Sequence, residues 1–264
     1  MNSLKKEIYQ IKRKCHIQDN IKFGNLFIKF IEEVFDSFNK LRPELKADYN
    51  KEIKWENIES NVFISKSSLP NSIPSVLKNK IKSEIKYKII YHLTINNKII
   101  TYHIFEKKKY SLQIIRKKII LMNLWMRFLL GKVNNSCSQE INIFIYPIDN
   151  LKKFPNSNIE YLGPLHVNTA FTYACIPNNE ILIFREEEWF KVFIHETFHS
   201  YGLDFVPLSN QINQTINKIF NLNLNYDITE SWCETWARIF NVIITGYFKN
   251  NNFNNYNNFK CIWN

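Results

Sequence analysis

The residues best suited to chemistry are His195, Glu196 and His199, which spell HExxH within the stretch 185–205. On a helix, residues four apart lie one above the other on the same face. Two imidazole nitrogens so placed can both reach one Zn²⁺ at about 2.0–2.1 Å. Glu196 follows the first histidine directly, so its carboxylate can reach a water beside the metal without being a ligand. Two histidines that hold a metal, with a glutamate as general base, are the parts of a metal-assisted hydrolysis.

These side chains converge only if a helix carries them, and the flanks predict one. Glu186, Glu187 and Glu188 are expected in its first turn, where negative charge suits the positive end of the helix dipole. Gly202 is placed to stop it. Val192, Phe193, Phe198 and Tyr201 supply the apolar face of a helix buried under a sheet. No Ser, Thr, Asp or Asn stands at the expected N-cap.

Zinc needs a third protein ligand. Downstream lies 227–238, Asp-Ile-Thr-Glu-Ser-Trp-Cys-Glu-Thr-Trp-Ala-Arg. Glu230 or Glu234 can serve. If Asp227 caps this helix and Glu230 completes a capping box, Glu234 becomes the ligand. Asp204, near the end of the motif helix, suits an outer-shell or turn role. Cys233 suits a small buried apolar role. Tyr226, Tyr201, His166 and Arg238 are candidates to stabilise an oxyanion.

The rest of the chain supplies a scaffold. In 21–41, Phe23, Leu26, Phe27, Phe30, Ile31, Val34, Phe35 and Phe38 recur at helical spacing. Residues 42–80 carry Pro43, Pro70 and Pro74 and are expected to be loops with short elements, with a boundary there. The runs 85–95 and 98–105 alternate as strands, and Asn96-Asn97 between them predicts a tight hairpin. Residues 111–131 are apolar over a wide helical arc, interrupted by Arg116, Lys117, Lys118 and Arg127. Segments 141–147, 165–175 and 181–184 are expected strands. Residues 249–258 are an Asn-rich tail. His92 and His103 are expected to be strand residues rather than ligands.

Composition narrows the class. The chain has 264 residues, 45% hydrophobic and 15% aromatic, enough for a substantial core. Its net charge of +11 is spread through Lys-, Asn- and Ile-rich sequence, as an AT-rich coding bias produces, so no specific nucleic-acid partner is expected. The N-terminus lacks an apolar signal region, and no apolar run is long enough for a membrane span. Cys15, Cys137, Cys175, Cys233 and Cys261 form no CxxC, so no disulfide framework is expected and a reducing, cytoplasmic compartment is.

The element order, strand, strand, helix, strand, strand, strand, motif helix, resembles the upper subdomain of the zincin metallopeptidases. The Glu-x-x-x-Glu-x-x-Ala pattern at 230–237 resembles the second zinc helix of the gluzincin branch. The resemblance implies an α+β fold: a small twisted sheet with a backing helix over the HExxH helix, a helical C-terminal subdomain, and an N-terminal helical extension. It divides the chain into an extension (1–80), a zincin-like domain (81–247) and a tail (248–264). It makes His195, His199 and Glu230 the zinc ligands, Glu196 the catalytic base, and Glu234 an outer-shell acceptor for a histidine N–H. Residues 167–171 resemble the edge strand of thermolysin-like enzymes, with Asn168, Thr169 and Ala170 along a peptide or protein substrate. The metzincin branch would place a ligand at Phe205, which cannot serve. More loosely, the chain is similar to HExxH proteins of large cytoplasmic DNA viruses, which implies the host cytoplasm or the virion. The alternative function is a non-catalytic, zincin-fold binding or virion-associated protein.

Overall fold

A computed structural model describes residues 24–58, 73–152, 155, 163–204, 210–221, 223 and 228–249. Among these, eight helices surround one six-stranded open sheet. Strands β2 (Tyr87–Ile95) and β3 (Lys98–Glu106) form the hairpin, with Asn96 and Asn97 both at positive φ, as a tight primed turn requires. Helix α4 (Leu112–Leu130) crosses over to β4 (Glu140–Ile145), which runs parallel to β3. β6 (Asn178–Ile183) is parallel to β4, and β5 (Ala170–Thr172) is antiparallel to β6. With β1 (Glu56–Asn57) outermost on the far side, the order is β1-β2-β3-β4-β6-β5, so β5 is an edge.

One face of the sheet carries Ile89, Tyr91, Ile100, Tyr102, Ile141, Ile143, Ile181 and Ile183, all buried. Against it pack α4 and helix α6 (Trp189–Ser200), which carries HExxH. Trp125 of α4, 1% exposed, donates its indole N–H to Thr197 Oγ1 at 2.8 Å. That bond satisfies the one polar atom of the largest buried side chain and fixes α4 against the motif helix. Helix α3 (Ser75–Glu84) covers part of the other face through Leu77 and Ile81, with Phe105, Tyr146 and Phe184 beneath.

The N-terminal helix α1 (Asn25–Lys40) is amphipathic as its spacing predicts, and it docks into the same core. Phe30 meets Trp236 and Phe240 edge-on, and Phe38 meets Phe128 and Tyr247. Within 42–80, expected to be loops with short elements, the described residues form helix α2 (Arg42–Asn50), β1 and the start of α3; 59–72, with Pro70, lies outside the described residues. Pro43 sits in the first turn of α2 and Pro74 just before α3, where a missing N–H costs nothing. Asp48 on α2 is buried and takes Arg127 at 2.8 and 3.0 Å, which ties α2 to α4.

Three further expectations change. Residues 165–175 are not one strand: Pro164–Val167 form a short helix α5, and only Ala170–Thr172 pair. Where no disulfide framework is expected, one disulfide is present among the described residues, between Cys137 before β4 and Cys175 in the β5–β6 turn; Cys233 is free and buried. Glu186, Glu187 and Glu188 precede α6 rather than forming its first turn, and Glu188 takes a left-handed conformation at the N-cap. Two of the three carboxylates are engaged: Glu187 accepts the Lys152 N–H at 3.0 Å, and Glu188 lies 3.3 Å from Lys191 on the helix itself.

Candidate metal centre

Helix α6 ends as its sequence predicts. Gly202 has φ +64, its N–H bonds to His199 O, and the Leu203 N–H reaches back to Phe198 O at 2.8 Å. This paired closure needs a left-handed residue, which glycine adopts without strain. The chain then turns so that Asp204 meets His199. Helix α7 (Asn210–Phe220) follows, and then helix α8 (Thr229–Lys249) returns alongside α6. Cys233 and Ala237, fully buried, are the small residues on the face of α8 that carries Glu230 and Glu234.

Three donors converge. His195 Nε2 and His199 Nε2 are 3.1 Å apart, Glu230 Oε2 is 3.2 Å from the first and Oε1 is 3.3 Å from the second. Zinc bonds of 2.0–2.1 Å at tetrahedral angles place neighbouring donors about 3.3–3.4 Å apart. The donor set, two imidazoles and one carboxylate within 4.8 Å of one another, therefore fits a divalent metal in size and chemistry.

Each histidine is backed on its other nitrogen. His199 Nδ1 lies 2.7 Å from Asp204 Oδ2, and His195 Nδ1 lies 3.5 Å from Glu234 Oε2. The first is a short charge-assisted hydrogen bond. The second is an electrostatic contact at the limit of bonding, and His195 Nδ1 has no closer partner. Glu234 is shared: Lys191 Nζ sits 2.9 Å from both of its oxygens and Arg238 Nε 2.7 Å from one. Cys233 contacts His199 with its thiol, whose pKa is raised by burial.

The ionisable groups are strongly coupled. Burial alone would lower both histidines, but Glu230 and Glu234 push His195 up to about 9. Cys233, Glu230 and Asp204 push His199 up to about 11. Glu230 is held well below the usual carboxylate range by hydrogen bonds from the two histidines. Glu234 is also lowered, because His195 and Lys191 outweigh its burial. Glu196 is buried beside them, and desolvation pushes its carboxyl up to about 7 against the pull of the two histidines.

Above these residues runs a cleft of about 430 Å³, walled on the far side by Asn168, Thr169 and Ala170. The strand proper starts at Ala170; Asn168 and Thr169 lead into it. Thr169 O accepts the Phe184 N–H at 3.0 Å, so Thr169 and Phe171 bond inward to β6. Antiparallel alternation then turns the N–H and C=O of Ala170 and Thr172 to the open edge.

Comparison with protein-family models, curated proteins and solved structures finds no match to this chain.

His195, Glu196, His199, Glu230 and Glu234 thus line one cleft with Asn168, Thr169 and Ala170, and Asp204 stands behind His199. Asp227 and Tyr226 lie outside the described residues, as does Phe205. The other oxyanion candidates are engaged elsewhere or buried. Tyr201 is fully buried, Arg238 pairs with Glu234, and His166 Nδ1 accepts the Gly163 N–H. His92 and His103 bond Thr101 and Asn142 on the sheet, as strand residues. Sequence reasoning missed Lys191, although it stands one turn before His195 on the same face and that spacing was legible. It also missed Arg185, for which a lone cation after an apolar strand is a weak signal.

Proposed function

We propose that the chain is a zinc metallopeptidase of zincin type and gluzincin ligand pattern, with His195, His199 and Glu230 as ligands. The observation that carries this reading is the 3.1–3.3 Å spacing of three donors from two helices beneath an open strand edge. Zinc held there would lower the pKa of a water and polarise a scissile carbonyl. Glu196 is the residue that takes the water's proton and returns it to the leaving amine. Asp204 and Glu234 hold the imidazoles by their Nδ1 sides, which would leave both Nε2 atoms free to take a metal. The outward N–H and C=O of Ala170 and Thr172 can pair with an extended peptide backbone of any sequence, so the substrate class is peptide or protein.

The test compares wild type with Glu196→Gln. Purified protein should contain about one Zn²⁺ per chain. The variant should keep that zinc and its fold and lose peptide hydrolysis by about 10²-fold or more, because only the base has changed. Hydrolysis at the wild-type rate in Glu196→Gln would refute the mechanism. Zinc without any hydrolysis by wild type across a broad peptide library would favour the non-catalytic binding protein.

A further inference from the structure

The cleft wall is a short piece of structure with a demanding position. β5 has three paired residues, and it must sit at a set distance from α6 for a backbone in the cleft to meet both. Its ladder to β6 ends at Thr169–Phe184. Two residues past the end of β6 the backbone ladder gives way to a side chain, that of Arg185.

Arg185 is 0% exposed, and its guanidinium donates to three main-chain carbonyls. Nε reaches Asn168 O at 2.9 Å, one terminal nitrogen reaches Asn150 O at 2.6 Å, and the other bonds Leu165 O. These acceptors come from three places: the exit of β4, helix α5, and the lead into β5. Burial in this carbonyl nest lowers the guanidinium pKa, yet arginine keeps its charge. A planar fork with five donors can hold three acceptors in fixed directions, which an ammonium cannot. Arg185 also stands just before the α6 entry, where Glu187 takes the Lys152 N–H. The same short connection therefore holds both the lead into the cleft wall and the start of the metal helix.

We infer that Arg185 is a positioning residue that sets the wall at 165–170 against the metal helix, and so sets how a substrate backbone engages the edge of β5. Its kinetic arm rests on the peptidase reading. Its structural arm does not.

The experiment uses full-length protein with Arg185→Lys, which keeps the charge and loses the fork. Hydrogen exchange by mass spectrometry is read over 165–172 and over α6, alongside zinc affinity and peptide kinetics. The expected result is exchange faster by about tenfold or more in 165–172, with α6 exchange and zinc affinity unchanged. KM should rise on the order of tenfold while kcat stays within about twofold, since the wall touches the peptide away from the reacting atoms. Unchanged exchange in 165–172 overturns the inference. So does exchange that accelerates equally in α6 with loss of zinc, because Arg185 would then be a general core residue. If Arg185→Lys does not accumulate as folded protein, Arg185→Gln is measured in the same way; failure of both to fold also overturns it. Should wild type prove unable to cleave peptides, the peptidase reading fails, and the local exchange still decides the role of Arg185.

Discussion

The two carboxylates behind the histidines should differ in their effect on zinc affinity, with Asp204 contributing more than Glu234. Asp204→Ala removes a carboxylate at 2.7 Å from His199 Nδ1, whose side chain is only 12% exposed. Glu234→Ala removes one at 3.5 Å from His195 Nδ1, and that carboxylate is 32% exposed and already paired with Lys191 and Arg238. Loss of a carboxylate behind a ligating histidine costs roughly 10–100-fold in metal affinity. The short, dry, unshared contact belongs at the upper end, so Asp204→Ala should lose about 100-fold, or about 2.7 kcal/mol. Glu234→Ala should lose about tenfold, or about 1.4 kcal/mol. Part of that loss comes from uncovering the Lys191 ammonium, so the double variant Lys191→Met/Glu234→Ala should bind zinc no more weakly than Glu234→Ala. Competition with a chromophoric chelator measures all three at one neutral pH, with thermal unfolding to show that each is folded. A larger loss from Glu234→Ala than from Asp204→Ala in folded proteins would refute the assignment of the short contact as the stronger support.

Glu230→Ala should abolish tight zinc binding, because one of the three donors is lost, and should lower the metal-free melting temperature only modestly as its bonds to the two histidines go; zinc retained at wild-type affinity would instead make it a capping residue. Zinc affinity should fall as pH falls, because the metal-free histidines, raised to about 9 and about 11, are protonated at neutral pH and must give up their protons to the buffer as zinc binds. Calorimetry in buffers of different ionisation enthalpy measures that release, and a pH-independent affinity would contradict it. In the metal-free protein the sign is opposite: the raised histidines add stability fully present below their unfolded pKa of about 6.5, and it is lost as pH rises through about 9 and then about 11. Gly202→Ala should destabilise by about 1 kcal/mol or more in denaturant titrations, because alanine is strained at φ +64 and its Cβ would stand 3.3 Å from Cys137 Sγ. No change in midpoint would refute that account of the turn.

The local and the periodic were legible in the sequence. HExxH at helical spacing, the Asn96-Asn97 turn, the Gly202 stop and the apolar arcs of 25–40 and 112–130 are set by contacts within a few residues, so residue types alone determine them. The Glu-x-x-x-Glu-x-x-Ala spacing puts two acids and a small residue on one helix face, which marks Glu230 and Glu234 as candidates, but spacing alone leaves the choice between them open.

What depended on contacts across the chain could not be read. Glu186–Glu188 are expected to begin the motif helix, but Lys152, distant in sequence, engages Glu187 through its N–H and Glu188 through its ammonium. Residues 165–167 were expected to extend a strand, but the lead into β5 is held by the Arg185 fork through carbonyls that have no sequence signature. Cys137 and Cys175, 38 residues apart, meet only because the β5–β6 turn folds over the start of β4. The division of labour between Asp204 and Glu234 likewise depends on a difference between 2.7 and 3.5 Å. Sequence spacing can put a carboxylate on the right face of a helix. Only the packing of one helix against another decides which carboxylate reaches an imidazole and which is shared with a lysine.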